Sequence, residues 1–529
     1  MKLFEYSIPP KYSLIMAHQY LLKTQFAVAL TCILLLGINS CKQNDPMQKT
    51  IIEGIITEFD DPYDIPAIDL FEFMPLSGEY KKQSFFIESD GTFRFEFEQL
   101  YPLDIYILFK EMFSIYAQPG DSIYLTIDAR MLTDTSNTLG FENKYIQIQC
   151  PNQRFQDEYQ DFTLAFRRSF QTHDDFIALE EAQKNLDPTE YLEYVKERSL
   201  KYNTFLNEYV KQNSSGRTFH EWSNNWLYAA EISDLLRYTW RHPSLNELDQ
   251  DTYRAPEEYY NFLRDKRHND EKLFVSQYYR AFLHQLYMHL FREFHQSELH
   301  NHLDSLYKVD NNVEVRRLHL NYIIENSTGF EQEYLVSRLY SKLIFWKMVD
   351  EYDALYDPSL VDRDDYNQIL ANEYAELQKL IVKPVYAKDL NLHDSGISEE
   401  DLVFQFLPEK FPDKVIYVDF WAPWCGPCMA EMPHSIKLQE RLEGKDVVFV
   451  FLASKCSEDS WKATIAQKQL SGEHFLLSDK EYTLLADRFN ISGIPRYMII
   501  DKNGMVINDN ATRPSNENLV EILEALSEK

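Results

Sequence analysis

The stretch Trp421-Ala-Pro-Trp424-Cys425-Gly426-Pro427-Cys428 decides how this chain is read. It follows an apolar run, Val415-Ile-Tyr-Val418, and opens a helical pattern that continues to Leu442. A strand-to-helix turn of this kind predicts Cys425 at a helix N-terminus, where unpaired N–H groups and the helix dipole favour a thiolate. The thiolate is the species that attacks a disulfide. Cys428, one turn further on, is close enough to resolve a mixed disulfide. The pair can therefore close a small disulfide ring and reopen it by exchange. The competing readings of a CxxC are half of a zinc site or a buried structural bridge. Zinc needs two more ligands, and no second CxxC or suitably spaced Cys/His pair follows.

The flanking residues carry a resemblance. Val418-Asp419-Phe420-Trp421-Ala422, running into Trp424-Cys-Gly-Pro-Cys428, resembles the active-site strand and helix of the thioredoxin superfamily. Later in the chain, Ser492-Gly493-Ile494-Pro495-Arg496 is similar to the loop in which thioredoxin relatives carry a cis-proline facing the CxxC. A cis peptide bond is essentially confined to proline. Taken alone, Pro495 would read as an ordinary turn proline before an edge strand. The resemblance implies that the Ile494 backbone lies beside Cys425 and pairs with a substrate chain like a short strand. It also implies that Asp419 is the buried aspartate that removes the Cys428 proton through water, its pKa raised by burial. Glu431, followed by Met432-Pro433, matches the glutamate of Cys-x-x-Glu-x-Pro in TlpA/ResA-type envelope reductases. Those relatives usually carry asparagine at the Asp419 position, so both acids are candidates for the Cys428 proton. The plain alternative for Glu431 is a solvated helix position. Trp421 and Trp424 are expected to pack beside the disulfide and shape the rim for substrate, with Gly426 and Pro427 between the sulfurs. Pro433 should kink the helix.

The activity so implied is thiol–disulfide exchange with protein or peptide disulfides, with no cofactor beyond the Cys425–Cys428 disulfide itself. The Gly-Pro dipeptide is the thioredoxin one, and thioredoxin is a reductant with a potential of about −270 mV. A reducing role outside the cytoplasm calls for an electron donor, expected to be a membrane thiol reductase. Two alternatives stand beside it: a disulfide oxidase or isomerase, and an envelope binding or scaffold protein with a largely structural thioredoxin module.

The rest of the chain is less specific. Its 529 residues allow three or four domains. A net charge of −31 argues against nucleic-acid binding. Phe26 to Ile38 is apolar, preceded by Lys23 and followed by Asn39-Ser40-Cys41. This fits a signal-peptide core better than a spanning helix, and Ser40-Cys41 resembles a bacterial lipoprotein cleavage box with Cys41 as the acylated residue. A plain cleaved signal or an uncleaved anchor is the competitor. Either way the chain is expected to be exported to the cell envelope, facing the periplasm if lipid-anchored, where disulfides persist.

The expected architecture is multidomain: a lipoprotein-type signal peptide over 1–41, an antiparallel β-sandwich-like domain over 42–150, a helical domain over 151–390, and an α/β thioredoxin-like domain over 391–529. Alternating runs such as Phe93-Arg-Phe95-Glu-Phe97, with a turn at Asp90-Gly91, predict the strands. Phe155, Tyr159, Phe162, Phe166 and Phe170 recur at helical steps and predict packing faces. His284, His289, His295, His300 and His302 are dense but lack the i,i+4 spacing or HExxH that would point to metal. Cys150, alone at the sandwich–helix boundary, reads as an inert small hydrophobe. Cys456 is a candidate third redox thiol without a partner cysteine nearby in the sequence.

Overall fold

A computed structural model describes residues 47–57, 67–78, 80–109, 111–129, 146–249, 252–308, 311–393 and 406–528. Cys41 and the apolar stretch from Phe26 to Ile38 lie outside the described residues. Residues Lys49–Lys529 form one compact unit. Among the described residues, no helix is long and apolar enough to cross a membrane.

The N-terminal region holds strands β1 (Gln48–Thr57), β2 (Ala67–Phe73), β3 (Tyr80–Phe86), β4 (Thr92–Gln99), β5 (Leu103–Phe109), β6 (Glu111–Ala117), β7 (Ser122–Asp128) and β8 (Ile146–Gln149). They form two four-stranded sheets, ordered β4-β1-β7-β8 and β3-β2-β5-β6. Alternation puts Phe93, Phe95 and Phe97 of β4 inside and the residues between them outside. Two details depart from the expected antiparallel sandwich. β1 and β7 pair in parallel, Ile52 opposite Ile123, so the first sheet is mixed. The Asp90-Gly91 turn does not close a hairpin within one sheet: β3 and β4 go to different sheets. The Gly91 carbonyl instead accepts the Ile56 N–H at 2.8 Å, from β1.

Helices fill the middle: α1 (Gln153–Phe170), α2 (His173–Asn185), α3 (Pro188–Asn213), α4 (Arg217–Leu245), α5 (Gln277–Gln296), α6 (His300–Lys308), α7 (Asn312–Asn326), α8 (Gly329–Phe345), α9 (Val349–Leu355) and α10 (Asp364–Val382). The aromatic stripe is core, as its spacing predicted: Phe155, Tyr159, Phe162 and Phe166 pack with Trp222 and Trp226 of α4. Local chemistry sets the starts. Asp187 accepts the N–H groups of Thr189 and Glu190, with Pro188 in the first turn. Ser276 caps α5, which begins at Gln277 after a 3-10 segment over Glu271–Val275.

The C-terminal region contains β9 (Leu390–His393), α11 (Leu407–Lys410), β10 (Val415–Trp421), α12 (Gly426–Arg441), β11 (Val447–Ala453), α13 (Glu458–Lys468), β12 (Gly472–Leu476), α14 (Asp479–Phe489), β13 (Arg496–Ile500), β14 (Val506–Asn508) and α15 (Asn518–Ser527). One sheet, ordered β14-β13-β10-β11-β12-β9, carries parallel pairs from β10 to β9 and antiparallel pairs through β13 and β14. Every residue of β10 is buried, as a central strand covered on both faces requires. Val415, Tyr417 and Trp421 belong to one core cluster, and Ile416, Val418 and Phe420 to the other.

Polar contacts join the three regions. Tyr101 and Tyr366 share a hydroxyl–hydroxyl bond of 2.7 Å, linking the β5 approach to α10. The Ser460 hydroxyl of α13 donates to the Trp346 carbonyl at 3.4 Å, tying the C-terminal sheet layer to the end of α8.

Candidate active site

Cys425 is the N-cap of α12 and is disulfide-bonded to Cys428, with a Cα–Cα distance of 5.2 Å. The sequence makes this helix start: Pro427 lies in the first turn, where no N–H is needed. The Cys428 N–H donates to Cys425 Sγ at 3.1 Å, so the first sulfur sits among the unpaired donors of the helix end. Both cysteines are buried, while Gly426 and Pro427 between them are exposed. A Cβ built on Gly426 would meet open space, so the turn presents itself to an incoming chain without obstruction. Pro433 does lie inside α12.

The Ile494–Pro495 bond is cis. Ile494 is half-buried and packs against the core cluster that contains Cys425 and Cys428, while Ser492 and Gly493 before it are exposed. The loop thus brings the two sequence motifs to one place.

Asp419 lies on β10, two residues from Tyr417 and two from Trp421, and strand periodicity puts it on their face, under α12. It is 2 % exposed, and its Oδ1 has no hydrogen-bond partner. Burial, with the Glu431 charge second, holds its carboxyl well above the usual range. Glu431 is not a solvated helix position. It is buried, accepting the Ser515 backbone N–H on Oε2 and the Ser515 hydroxyl on Oε1, each at 3.0 Å.

The two tryptophans part company. Trp424 is half-buried, with Nε1 donating to the Lys455 carbonyl at 2.8 Å. Trp421 is 0 % exposed and belongs to the core cluster. The expectation that Trp421 shapes a docking rim is therefore corrected: as the last residue of a fully buried strand it is enclosed by the sheet and α12. Sequence reasoning missed Ser515, whose separation from Glu431 along the chain leaves no local signal. It also missed Lys455, whose carbonyl fixes the Trp424 ring.

The remaining thiols are poor nucleophiles. Burial pushes the Cys456 thiol up to about 12 and the Cys150 thiol up to about 11. Neither is disulfide-bonded. Among the described residues, no group of three or more His, Cys, Asp or Glu side chains is placed to hold a metal ion.

A disulfide at the N-cap of a helix lying on this sheet, with a cis-proline loop against the same core, defines a dithiol protein of thioredoxin fold. Residues 413–506 match the family model described as Thioredoxin-like. The thiol-disulfide oxidoreductase ResA of Bacillus thuringiensis subsp. konkukian (strain 97-27) is 26 % identical over 119 residues, 22 % of this chain and 67 % of that protein. Thioredoxin-like protein YneN of Bacillus subtilis (strain 168) is 33 % identical over 95 residues, 18 % of this chain and 54 % of its own. The solution structure of a candidate thiol-disulfide oxidoreductase from Bacteroides vulgatus is 36 % identical, covering 22 % of this chain and 76 % of that one, with a TM-score of 0.21. The C-terminal domain thus matches the Thioredoxin-like family model and is similar to thiol-disulfide oxidoreductases of the ResA type.

Proposed function

We propose that this chain is a thiol–disulfide oxidoreductase of the cell envelope that reduces disulfides of protein substrates through Cys425 and Cys428. One observation carries the reading: a disulfide at a helix N-cap, with an exposed Gly-Pro turn and, on the strand beneath it, a buried carboxylate with one unpartnered oxygen.

In the reduced enzyme the Cys425 thiolate attacks one sulfur of a substrate disulfide. A mixed disulfide forms and the first substrate thiolate leaves. The Ile494 backbone, beside the cis bond, aligns the substrate chain as an added strand. Cys428 then gives up its proton and attacks Cys425 Sγ, which releases the second substrate thiolate. Two electrons have passed to the substrate, and the enzyme is left as the Cys425–Cys428 disulfide. Asp419 is the favoured acceptor of the Cys428 proton, because its raised pKa suits a general base and one oxygen has no partner. Glu431, held by Ser515, tunes Asp419 by its charge.

Turnover needs a dithiol donor, which we take to be a membrane thiol reductase. Cys41 as a lipidated residue, and export by the leader before it, complete the envelope reading.

The test is the reduction potential of the pair, measured by equilibrating the chain from Lys42 onward in thiol buffers and trapping free thiols. A value near about −270 mV supports a reductase, and one near about −120 mV makes it an oxidant instead. If the pair forms no reversible disulfide, the structural-module reading replaces the enzyme.

A further inference from the structure

A trough of about 1320 Å³ runs along the outer face of α5, between the β2–β3 connection, the end of α4 and α6. Its lining follows α5 from Gln277 to Gln296, which is about 28 Å at the helical rise. That length accommodates roughly eight residues of extended chain at about 3.3 Å each. Small-ligand pockets are compact and run from about 300 to 1,000 Å³, so this shape suits a polypeptide better.

The lining is unusual for a chain of net charge −31. Its charged groups are two arginines, Arg280 and Arg292, against one carboxylate, Asp304; of the histidines beside them, burial brings His289 down to about 4 and His284 Nδ1 accepts from Arg338. Arg280 is 4 % exposed, its guanidinium lies over the Phe73 ring at 4.9 Å, and its Nε and Nη2 have no hydrogen-bond partner. Asp104, an acid that its charge acts on, makes no ion pair with it among the described residues and is itself driven toward the neutral form by burial. A buried guanidinium left with spare donors calls for an anion. Between the polar groups lie Phe73, Trp240, Met288 and Phe291, of which Trp240 and Met288 are exposed. Exposed aromatic and methionine side chains adapt to varied apolar partners.

We propose that this trough binds an extended acidic segment with interspersed aromatic or branched side chains, presented by the disulfide-bearing substrate. The proposal rests on the oxidoreductase reading for the identity of the partner, and it gives the helical region a role in substrate capture. Carboxylates of the segment face the arginine side of the trough and apolar side chains fall against Trp240 and Met288.

The test is calorimetric titration of the full chain with cysteine-free ten-residue peptides of alternating Glu/Phe, Gln/Phe and Lys/Phe. The Glu/Phe peptide is expected to bind at least tenfold more tightly than the Gln/Phe peptide, and the Lys/Phe peptide not measurably. Met288→Glu adds a carboxylate on an exposed helix position. It should weaken the Glu/Phe peptide at least tenfold more than it weakens the Gln/Phe peptide, which loses only the apolar contact with Met288. Arg292→Gln should weaken the same peptide. Equal binding of all three peptides, no binding, indifference to Met288→Glu, or free citrate binding as tightly as the Glu/Phe peptide would overturn the proposal. Because the peptides contain no cysteine, binding that survives while exchange at Cys425 fails retains the trough and removes only the oxidoreductase reading.

Discussion

Ser515 holds both carboxylate oxygens of Glu431, whereas Asp419, on the strand beneath the same helix, keeps Oδ1 without a partner. Two buried acids under one disulfide are thus unequal in freedom. Glu431 is fixed by donors, and its charge helps to drive Asp419 toward the protonated form.

Glu431→Gln should therefore lower the apparent pKa of Asp419. The pH dependence of the resolving step is expected to move about one unit toward acid, since a neighbouring like charge of this kind acts on that scale. Stopped-flow decay of a preformed mixed disulfide, read from pH 5 to 9, measures it. An unchanged profile would mean that the Glu431 charge does not reach the base.

Asp419→Asn should have opposite effects on rate and stability. The folded pKa of Asp419 is raised, so the folded state prefers the proton. The stability this group contributes is complete below the unfolded carboxyl pKa of about 3.9 and is lost as pH rises through the raised folded value. At pH 8 the native protein carries that cost and the amide does not. The variant is expected to gain on the order of 2 kcal/mol in urea unfolding at pH 8 and almost nothing at pH 3.5. Its resolving step should slow by about 10²-fold, the contribution of a positioned base. Stabilisation without slowing would leave Asp419 a burdened core residue and no more.

The two tryptophans give a second contrast. Trp421→Ala empties a fully buried site and should cost about 3–5 kcal/mol, bringing misfolding with it. Trp424→Ala removes a half-buried ring and its bond to the Lys455 carbonyl, and should cost about 1 kcal/mol. Its larger effect should fall on KM for protein disulfides, with small disulfides spared. Thermal unfolding and steady-state kinetics on the two substrate types separate these outcomes.

The same residues mark how far the sequence could be read. Cys425, Cys428 and Pro495 sit in local motifs, and local motifs survive without a structure. The active-site strand and the helix after it were likewise legible, because a central parallel strand is a continuous apolar run. The exposure of Trp421 was not, since a tryptophan ending a buried strand and one on a rim look alike in one dimension. β12, reading Gly-Glu-His-Phe-Leu, was missed because two polar residues interrupt its apolar pattern. They are used by burial of His474 and by Glu473 pairing with Asn391 and His393 of β9. The parallel β1–β7 pair joins segments far apart in sequence and leaves no turn signature.

Thiol chemistry should sort the free cysteines from the reactive pair. With pKa values near 11 and 12, Cys150 and Cys456 hold about 10⁻³ and 10⁻⁴ of their population as thiolate at pH 8. In the reduced protein, iodoacetamide at pH 8 should alkylate Cys425 at least 10²-fold faster than either. Peptide mapping over time reads all three sites at once. Rapid modification of Cys456 would reinstate it as a third redox thiol.

Gly78 should prove necessary to the joint between the β region and the helices. Its φ is +69°, and a Cβ there would stand 2.1 Å from Arg338 Nη1. Arg338 is 1 % exposed; Nη1 donates to the Leu76 carbonyl at 3.3 Å and Nη2 bonds His284 Nδ1 at 2.7 Å. Gly78→Ala must push that guanidinium from its acceptors, and hydrogen bonds to a charged group lost in the interior should bring the cost to about 3 kcal/mol. Left-handed backbone strain alone accounts for only about 1 kcal/mol of it. A double-mutant cycle with Arg338→Met apportions the two. In the Arg338→Met background the alanine has no guanidinium to displace, so its cost in urea unfolding should fall toward the strain value. If the cost stays the same in both backgrounds, the contact with Arg338 is not what requires glycine, and the turn geometry by itself is.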